Sequence, residues 1–353
     1  FRCEFCDVWK VFGNGMRVKP VEKVLREVEA MVHLGMEDVF LISDNFVGDK
    51  PYSRELLRGL VGLRPTLARP PRFHTELTLN VAKDDELLGL FAEAGFGSLF
   101  IGIESPNAAS LKETRKRHNL FGDIVESCHK IQSYGLPIEA SMIVGFDHDT
   151  TAIFDEQFQF LQDACLPHPR MHMLKAIRGT DLWLRLVEGG RVVDLDRIYE
   201  GELFEGDYYP AQYAANILPA GMTRIELMEG YLELLERLYS WEAFAARMKG
   251  FVSLVQRPPE PPREAPSEAA KDGWAQFFAS LEPTVQATIL ELFGHAQRTS
   301  PGTTRIVAGK VLQQYLETLK LPHTRQVLEE QIRYESAHDV TKYLAVRGTV
   351  PSH

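Results

Sequence analysis

The sequence predicts an α/β fold in which a parallel sheet is covered by helices, followed by a helical C-terminal region. Short apolar runs alternate with helical patterns between about residues 20 and 186. These runs are apolar on both faces, which is typical of strands buried in a parallel sheet. After Gly190 the alternation ends and later segments are mostly helical. At roughly 100–200 residues per domain, a chain of 353 residues predicts two or three domains.

Five strands and seven helices alternate in the first part of the chain. The predicted strands are Asp38–Ser43, Arg72–Glu76, Ser98–Ile103, Ile138–Val144 and Arg170–Ile177. The predicted helices are Val21–Val32, Arg54–Leu63, Asp84–Ala94, Ala108–Arg117, Asp123–Tyr134, Thr151–Ala164 and Asp181–Val187. Glycine follows three of these helices, at Gly35, Gly95 and Gly135, where it favours a helix end.

The C-terminal part begins with an aromatic, irregular segment at residues 203–218, which could line a substrate opening or seal the sheet by packing. Two helices are predicted next, at Thr223–Tyr239 and Trp241–Val255, and then a proline-rich linker. Mostly helical sequence follows, with breaks expected near residues 300–302 and 321–322. We therefore divide the chain into a core (1–190), a mixed and then helical segment (191–256), a linker (257–273) and a helical extension (274–353), whose role the sequence does not identify.

Composition narrows the possible classes of protein. A hydrophobic content of 44% and a charged content of 25% are typical of a globular protein. The net charge of −10 argues against a broad basic surface for DNA, because nucleic-acid binding depends on phosphate neutralisation. No apolar run approaches the roughly 20 residues that span a bilayer. With 4 cysteines the chain is not a disulfide scaffold, and we expect a soluble, reduced, cytoplasmic protein.

Cys3 and Cys6 form a C-x-x-C pair, which is ambiguous by itself. A zinc site usually takes four ligands, but no second cysteine pair follows. A redox pair should open a helix, and the glycines at positions 13 and 15 argue against a helix there. Cys128 and Cys165 are expected on helix faces as buried, small apolar residues. An iron–sulfur site remains possible, although two thiolates are too few for a cluster.

The segment Phe1-Arg-Cys-Glu-Phe-Cys6 resembles the end of the C-x3-C-x-aromatic-C motif of the radical S-adenosylmethionine (SAM) superfamily. In that family three thiolates hold three irons of a 4Fe-4S cluster, and the fourth iron binds SAM. The resemblance implies Cys3 and Cys6 as cluster ligands and Phe5 as the aromatic residue of the motif. It also places the first cysteine two residues before Phe1, so we expect a truncated N-terminus and no stable cluster or activity in the chain as given.

Later segments extend the resemblance to SAM binding. Asp44 and Asn45 resemble the turn that binds the SAM ammonium, Glu104 the residue beside the ribose, and Ile143 with Gly145 the strand that packs on adenine. Near residue 180 an arginine replaces the proline of the usual P-G-T. The implied cofactor-binding residues are Phe5, Asp44, Asn45, Thr75, Glu104, Lys116, Ile143 and Gly145.

Each of these residues also has a simpler explanation. Asp44 and Asn45 could be turn residues, Glu104 could cap the next helix, and Lys116 belongs to a basic cluster that could be a solvated helix face. His74 and Glu76 share a strand face by period two. They could point into the barrel or form a satisfied buried pair.

The resemblance covers about residues 1–250 and is closest to the cobalamin-dependent branch, including hopanoid-methylase-like proteins. It implies a partial (β/α)6 TIM-type barrel that lacks its first strand. The implied function is generation of a 5′-deoxyadenosyl radical, used with cobalamin bound by a preceding domain to methylate an unactivated carbon. Implied partners are a small-molecule or lipid-like substrate and an electron donor such as flavodoxin or ferredoxin. The alternatives are a cobalamin-independent rearrangement or oxidation, and a non-catalytic module in which Cys3 and Cys6 form half of a zinc site.

Overall fold

The computed structural model describes residues 2–13, 15–120, 122–198, 215–257 and 267–345. Its centre is a five-stranded sheet in which all neighbouring strands are parallel and follow chain order. The strands are β1 (Asp38–Leu41), β2 (Arg72–Leu77), β3 (Phe96–Glu104), β4 (Ile138–Val144) and β5 (His168–Met173). Consecutive order is the order of a (β/α) barrel, whereas a doubly wound sheet reverses its order at a switch point.

Helices precede, connect and follow the strands. Those of the first part are α1 (Val8–Phe12), α2 (Val21–His33), α3 (Lys50–Leu63), α4 (Asp85–Ala94), α5 (Ala108–Glu113), α6 (Ile124–Ser133), α7 (Ile153–Asp163) and α8 (Asp181–Glu188). The second part contains α9 (Leu195–Ile198), α10 (Arg224–Leu238), α11 (Trp241–Leu254), α12 (Glu268–Ala279), α13 (Pro283–Thr299) and α14 (Thr304–Ala337).

The two faces of the sheet differ in character, because side chains alternate along each strand. One face carries fully buried apolar side chains such as Leu99, Ile101 and Met142 and packs against helices. The other, which we call the open face, carries polar side chains. Its members on the four strands β2 to β5 include His74, Glu76, Ser98, Gly102, Glu139, Ser141, Ile143, Arg170 and His172.

Helix α10 covers the outer edge of β5. The hydroxyls of Tyr231 and Tyr239 donate to the carbonyls of Met171 and Pro169, both at 2.9 Å. Arg224 of α10 and Glu335, near the end of α14, form a buried ion pair that joins the two helices. Arg224 Nη2 lies 2.7 Å from Glu335 Oε1. The C-terminal helices therefore pack against the sheet, and do not hang from it as a separate appendage.

The expected architecture is confirmed: the five strands are present, in parallel and in order, and a helical region follows them. The predicted fifth strand ends four residues too late, because the chain leaves the sheet after Met173. The expected break at Pro322 is wrong, since α14 runs through it. Pro322 lacks an N–H donor, but buried residues on both sides, among them Gln314 and Leu328, anchor the helix.

Three local expectations also differ from the structure. A short helix, α1, does follow the cysteine pair, because Gly13, at φ +79°, ends the helix and does not prevent it. Cys165 is not on a helix face but in the turn after α7, partly exposed, with φ +51°. The expected linker is shorter, since α12 begins at Glu268. Its proline-rich part, residues 258–266, and most of the aromatic segment, residues 199–214, lie outside the described residues.

Within the described ranges, no helix combines the length and the apolar character that crossing a membrane requires.

Candidate active site

The loop that carries the two motif cysteines lies against segments that follow β3 and β5. The Glu4 amide donates to the carbonyl of Thr114, just after α5, at 3.0 Å. The Leu182 amide of α8 donates to the Glu4 carbonyl, also at 3.0 Å. These backbone bonds place the loop at the carboxyl ends of the strands, which is where parallel α/β folds build their sites.

Cys3 and Cys6 are free thiols on one turn, closed by a bond from the Cys6 amide to the Cys3 carbonyl at 3.3 Å. Cys3 is buried and Cys6 is partly exposed. Burial raises the pKa of the Cys3 thiol, and the nearby Lys116 ammonium opposes that rise. In the described part of the chain no group of three or more ligand side chains could hold a metal ion. Cys3 and Cys6 are therefore two sulfur donors without a third ligand side chain grouped with them in the described residues.

A buried ion pair between Glu104 and Lys116 lies next to this loop. Glu104, the last residue of β3, is 5% exposed and Lys116 is 7% exposed. Lys116 Nζ contacts Glu104 Oε1, and the second carboxylate oxygen lies 3.5 Å from the Ser141 hydroxyl. The pair occupies the space above Gly102, where a Cβ atom would lie 2.5 Å from Glu104 Oε1. The glycine therefore allows this pair to sit directly on the strand.

Two buried amide side chains fix the backbone around Glu104, which has an uncommon positive φ of +70°. Asn119 Nδ2 donates to the carbonyls of Gly102 and Ile103, both at 3.1 Å. Gln157 Nε2 donates to the carbonyls of Glu104, at 3.2 Å, and Ile143, at 3.0 Å. Gln157 therefore joins the ends of β3 and β4 and sets the position of both residues.

The turn after β4 is held by a buried carboxylate. Asp149 accepts from the amides of Gly145 at 2.9 Å and Phe146 at 3.0 Å, and from the Ser110 hydroxyl at 2.8 Å. Gly145 has φ +103°, a conformation that favours glycine. The Phe146 ring lies 6.1 Å from the Phe5 ring, centroid to centroid. This turn thus contacts the cysteine loop.

Phe5 joins the cysteine loop to the ion pair. Its ring is packed against the main core, and Lys116 Nζ lies 5.9 Å from the ring centroid. Cation–aromatic contacts of this length are weakly attractive. Five of the predicted residues are accordingly brought to one end of the sheet: Phe5 lies within the cysteine loop beside Lys116 and Glu104, and Ile143 and Gly145 lie at the end of β4.

Asp44 and Asn45 lie further along the sheet edge, in the turn after β1. Asn45 Oδ1 accepts from the amide and hydroxyl of Thr78, at 3.2 and 3.3 Å, which is the turn-forming role that its residue type favours. Asp44 is exposed. Burial and the charge of Asp44 raise the pKa of Glu76 on β2. The two carboxylates therefore form a negative region at the ends of β1 and β2.

Thr75 is not part of the site that the structure assembles. Its side chain is fully buried on the helix-covered side of β2, opposite His74 and Glu76. Its hydroxyl donates to the Leu41 carbonyl at 2.7 Å and so closes the end of β1. On the open face, burial lowers the pKa of His172 on β5, and the charge of Glu104 opposes that shift.

The residues that fix the site by hydrogen bonds were missed by the sequence reasoning. Asn119, Gln157 and Asp149 are absent from the residues that the sequence predicts. Asn119 and Gln157 are distant in sequence from the carbonyls that they bond, whereas Asp149 is close in sequence to the amides of Gly145 and Phe146. Gln157 alone carries a signal in the sequence. It is a polar residue at a helix position that periodicity assigns to the core, and a buried polar group needs a hydrogen-bond partner.

Two family models match the chain. The Radical SAM superfamily matches residues 1–161, and a domain of unknown function, DUF4070, matches residues 180–288. The first match contains the cysteine loop, Glu104, Lys116 and the Gly145 turn. The second begins just before α8, includes α10, α11 and α12, and ends at residue 288, within the first part of α13.

Two methylase relatives and one solved structure are similar to this chain over parts of their length. The hopanoid C-2 methylase of Rhodopseudomonas palustris is 34% identical over 56% of this chain and 37% of its own length. An uncharacterized methyltransferase of Synechocystis is 35% identical over 55% of this chain and 36% of its own. The chain thus spans little more than a third of these relatives. A solved structure is that of the radical SAM methyltransferase TsrM from Kitasatospora setae, with cobalamin and a 4Fe-4S cluster bound. Its alignment with this chain covers 54% of this chain and 38% of the TsrM chain, at 17% identity and a TM-score of 0.44.

Proposed function

Because its first 161 residues make this chain a member of the Radical SAM superfamily, we propose that it is the catalytic part of a radical SAM methyltransferase. The proposed reaction transfers a methyl group from SAM, with the help of cobalamin, to an unactivated carbon of a small-molecule or lipid-like substrate. The methyltransferase assignment is supported by relatives that are 34% and 35% identical and carry that activity in their names.

The observation that carries the proposal is the position of the two motif thiols beside the buried Glu104–Lys116 pair. Their loop is bonded to segments after β3 and β5, so it lies at the end of the sheet where these two charged side chains also lie. A glycine at position 102 leaves room for the pair. Such a pair is costly to bury, and a ligand that uses both charges gives a reason for its place at the strand ends.

When bound, a 4Fe-4S cluster would supply the electron for cleavage of SAM, and the residues of this chain would hold and orient the two groups. Cys3 and Cys6 provide two thiolates, and the motif requires a third cysteine that the chain as given does not contain. Lys116 uses one of its three N–H donors on Glu104, which leaves donors for the SAM carboxylate.

The adenosyl half of SAM would lie along β3 and β4. One oxygen of Glu104 is free of the lysine and can accept from ribose hydroxyls. Ile143 presents an apolar side chain on the open face next to the Gly145 turn, which suits an adenine ring. Asp44 is an exposed carboxylate that suits the SAM ammonium.

The rest of the proposal concerns groups outside this chain. Cobalamin would be bound by a separate domain, as the hopanoid-methylase-like relatives suggest, and electrons would come from a donor such as flavodoxin or ferredoxin. We also propose that the protein works in the cytoplasm, where thiolates remain reduced.

Anaerobic incubation of the full-length protein with SAM, a reductant and cobalamin tests the function. We expect two products, 5′-deoxyadenosine from the radical step and S-adenosylhomocysteine from methyl transfer. Omitting cobalamin should abolish S-adenosylhomocysteine. If 5′-deoxyadenosine is the only product both with and without cobalamin, the protein is a radical SAM enzyme that does not transfer a methyl group. If zinc is retained and neither product forms, the radical reaction is refuted.

A substitution of Glu104 connects the reaction to the described site. Glu104→Gln keeps the shape of the side chain but removes the charge that pairs with Lys116. We expect weaker SAM binding by about tenfold, since hydrogen bonds to charged groups contribute about 1.5–3 kcal/mol. Glu291→Gln on α13, which removes the charge of an exposed pair with Lys249, is the matched control and should bind SAM as the wild type does. Unchanged SAM affinity in Glu104→Gln would contradict the assignment.

A further inference from the structure

A carboxylate lies between the two motif cysteines, and a single arginine holds it. Glu4 is buried, and Arg185 of α8 contacts both of its oxygens, with Nε–Oε1 at 2.6 Å and Nη2–Oε2 at 3.1 Å. A two-point contact between guanidinium and carboxylate fixes orientation as well as distance. The peptide that joins Cys3 to Cys6 is therefore fastened to α8 by its own side chain.

The same guanidinium binds two further segments at this end of the sheet. Arg185 Nη2 lies 2.9 Å from Glu113 Oε1, at the end of α5, and Nη1 lies 2.5 Å from Asp147 Oδ2, after β4. Arg191 takes the other oxygen of Asp147. Burial opposes the charge of Arg185, but Glu4 and Asp147 outweigh it and raise the pKa of the guanidinium. One side chain thus joins the cysteine loop to the segments after β3 and β4.

Helix α8 also contacts the chain on the far side of Cys6. Asp181, the first residue of α8, pairs with Lys10 of α1, with Oδ1–Nζ at 2.7 Å. The Leu182 amide donates to the Glu4 carbonyl at 3.0 Å. The contacts of α8 therefore bracket Cys6, by Glu4 before it and by Lys10 after it.

We infer that α8 is a clasp that fixes the cysteine loop before any metal binds, with Arg185 and Glu4 as its positioning residues. The purpose of the clasp rests on the proposed function, since it is the iron that would need the loop in place. The physical reason is preorganisation: a loop that is ordered in advance does not lose conformational freedom when its thiolates bind metal.

The metal-free full-length protein tests this inference directly. Cys6 is partly exposed, so the rate of its alkylation by iodoacetamide reports how often the loop opens. Arg185→Gln and Glu4→Gln each break the clasp. We expect Cys6 to react roughly tenfold faster in both variants, the factor that about 1.4 kcal/mol produces.

The two variants have opposite electrostatic effects on the thiol. Glu4→Gln removes a negative charge beside the cysteine loop, whereas Arg185→Gln removes a positive charge there. Faster alkylation in both variants is therefore a sign of loop opening and not of a shifted charge. An increase in Glu4→Gln alone would overturn the inference.

Controls come from the same chain. Cys165 is partly exposed in the turn after α7, so peptide mass spectrometry measures its alkylation in the same sample. Its rate should not change, and equal acceleration of Cys6 and Cys165 would overturn the inference, because it would show a general loss of stability. Arg237→Gln, which breaks an exposed pair with Asp155, should leave both rates unchanged.

Iron retention after anaerobic reconstitution separates the clasp from the proposed function. With a working cluster site, the wild type retains iron on gel filtration and the two clasp variants lose it. If the wild type binds no iron but Cys6 still becomes reactive in both variants, the clasp stands and the cluster assignment fails. If the variants keep both a slow Cys6 and their iron, the clasp is refuted and the cluster assignment stands.

Discussion

At the scale of single residues, the candidate site depends on space as much as on charge. Glu104 and Lys116 meet directly above Gly102, and an added Cβ would lie 2.5 Å from Glu104 Oε1 and 2.6 Å from Lys116 Nζ. Both charged groups are buried, so neither can move into solvent without leaving the other unpaired. Position 102 therefore fixes the geometry of the pair.

Gly102→Ala should displace this ion pair and weaken SAM binding. Overpacking at a buried position costs about 1–3 kcal/mol, which corresponds to a loss of affinity of roughly tenfold or more. Calorimetric titration of SAM into the cluster-loaded full-length protein measures the change. Gly62→Ala is the matched control, because a Cβ there meets nothing within 4 Å. It should bind SAM normally and melt at an equal or slightly higher temperature, since alanine favours a helix. An unchanged affinity in Gly102→Ala would show that the pair plays no part in binding.

The sequence predicted the residues whose type and place follow from a short motif, and not those that act from a distance. Glu104 ends an apolar strand and Cys3 and Cys6 are three apart, so pattern alone draws attention to them. Arg185 lies 181 residues from Glu4 along the chain. No local pattern reports a pair separated in this way, and only folding brings the two together.

At the scale of elements, α14 reaches the sheet with a buried lysine. Lys310 Nζ lies 3.4 Å from Glu139 Oε1 on β4, near the amino ends of the strands. Glu139 also accepts from the Ser98 hydroxyl at 3.0 Å and pairs with Arg170 at 2.9 Å. Burial disfavours the Glu139 charge, but Lys310 and the neighbouring basic groups, Arg170 among them, together outweigh burial, and the pKa of Glu139 falls to about 2.

His168, on β5, is a buried neighbour of this cluster and is neutral in the folded protein. Burial and the Lys310 charge lower its pKa to about 3, whereas Glu139 opposes that shift. Glu317 of α14 lies 3.9 Å from its Nε2, and the Arg170 charge also lowers its pKa. In the unfolded chain a histidine titrates near pH 6.5, at about its unperturbed value. Below that pH the unfolded state therefore binds a proton that the folded state does not.

We accordingly expect His168 to reduce stability as the pH falls from about 6.5 towards 3. One such proton gives a slope of up to about 1.4 kcal/mol per pH unit. Urea unfolding between pH 4.5 and 7 measures it, and His168→Gln should have a shallower slope over that range. His33→Gln, at an exposed position on α2, should keep the wild-type slope. Parallel curves for the wild type and His168→Gln would contradict the assigned protonation state.

At the scale of the whole molecule, part of α14 shares the core of the sheet, whereas residues of α11, α13 and the start of α14 form a second buried cluster. Leu328 of α14 and Ala345 belong to the same buried cluster as the strands. The sequence predicted strands, helices and their order, because these follow from local periodicity. It did not predict this shared core, because a proline-rich stretch suggests separation, whereas the contacts that overrule it are long-range. The buried pair of Arg224 with Glu335 is one of them.

A shared core predicts that the sheet and the C-terminal helices unfold together. Trp183 lies on α8, beside the sheet, and Trp274 lies on α12, packed against Phe293 of α13. Variants that retain one of these tryptophans and carry phenylalanine at the other tryptophan positions report on each region separately. Their fluorescence transitions in urea should coincide, as a two-state transition requires.

Breaking the pair that joins α10 to α14 should separate the two transitions. Arg224→Ala removes the guanidinium that contacts both oxygens of Glu335, and breaking a buried ion pair costs about 3–5 kcal/mol. We expect the Trp274 transition to move to lower urea than the Trp183 transition in this variant. Arg237→Ala, at an exposed pair on α10, is the matched control and should leave the transitions coincident, since such pairs contribute about 0–1 kcal/mol. Two separate transitions already in the wild type would show that the extension folds independently, and the shared core would then contribute little to stability.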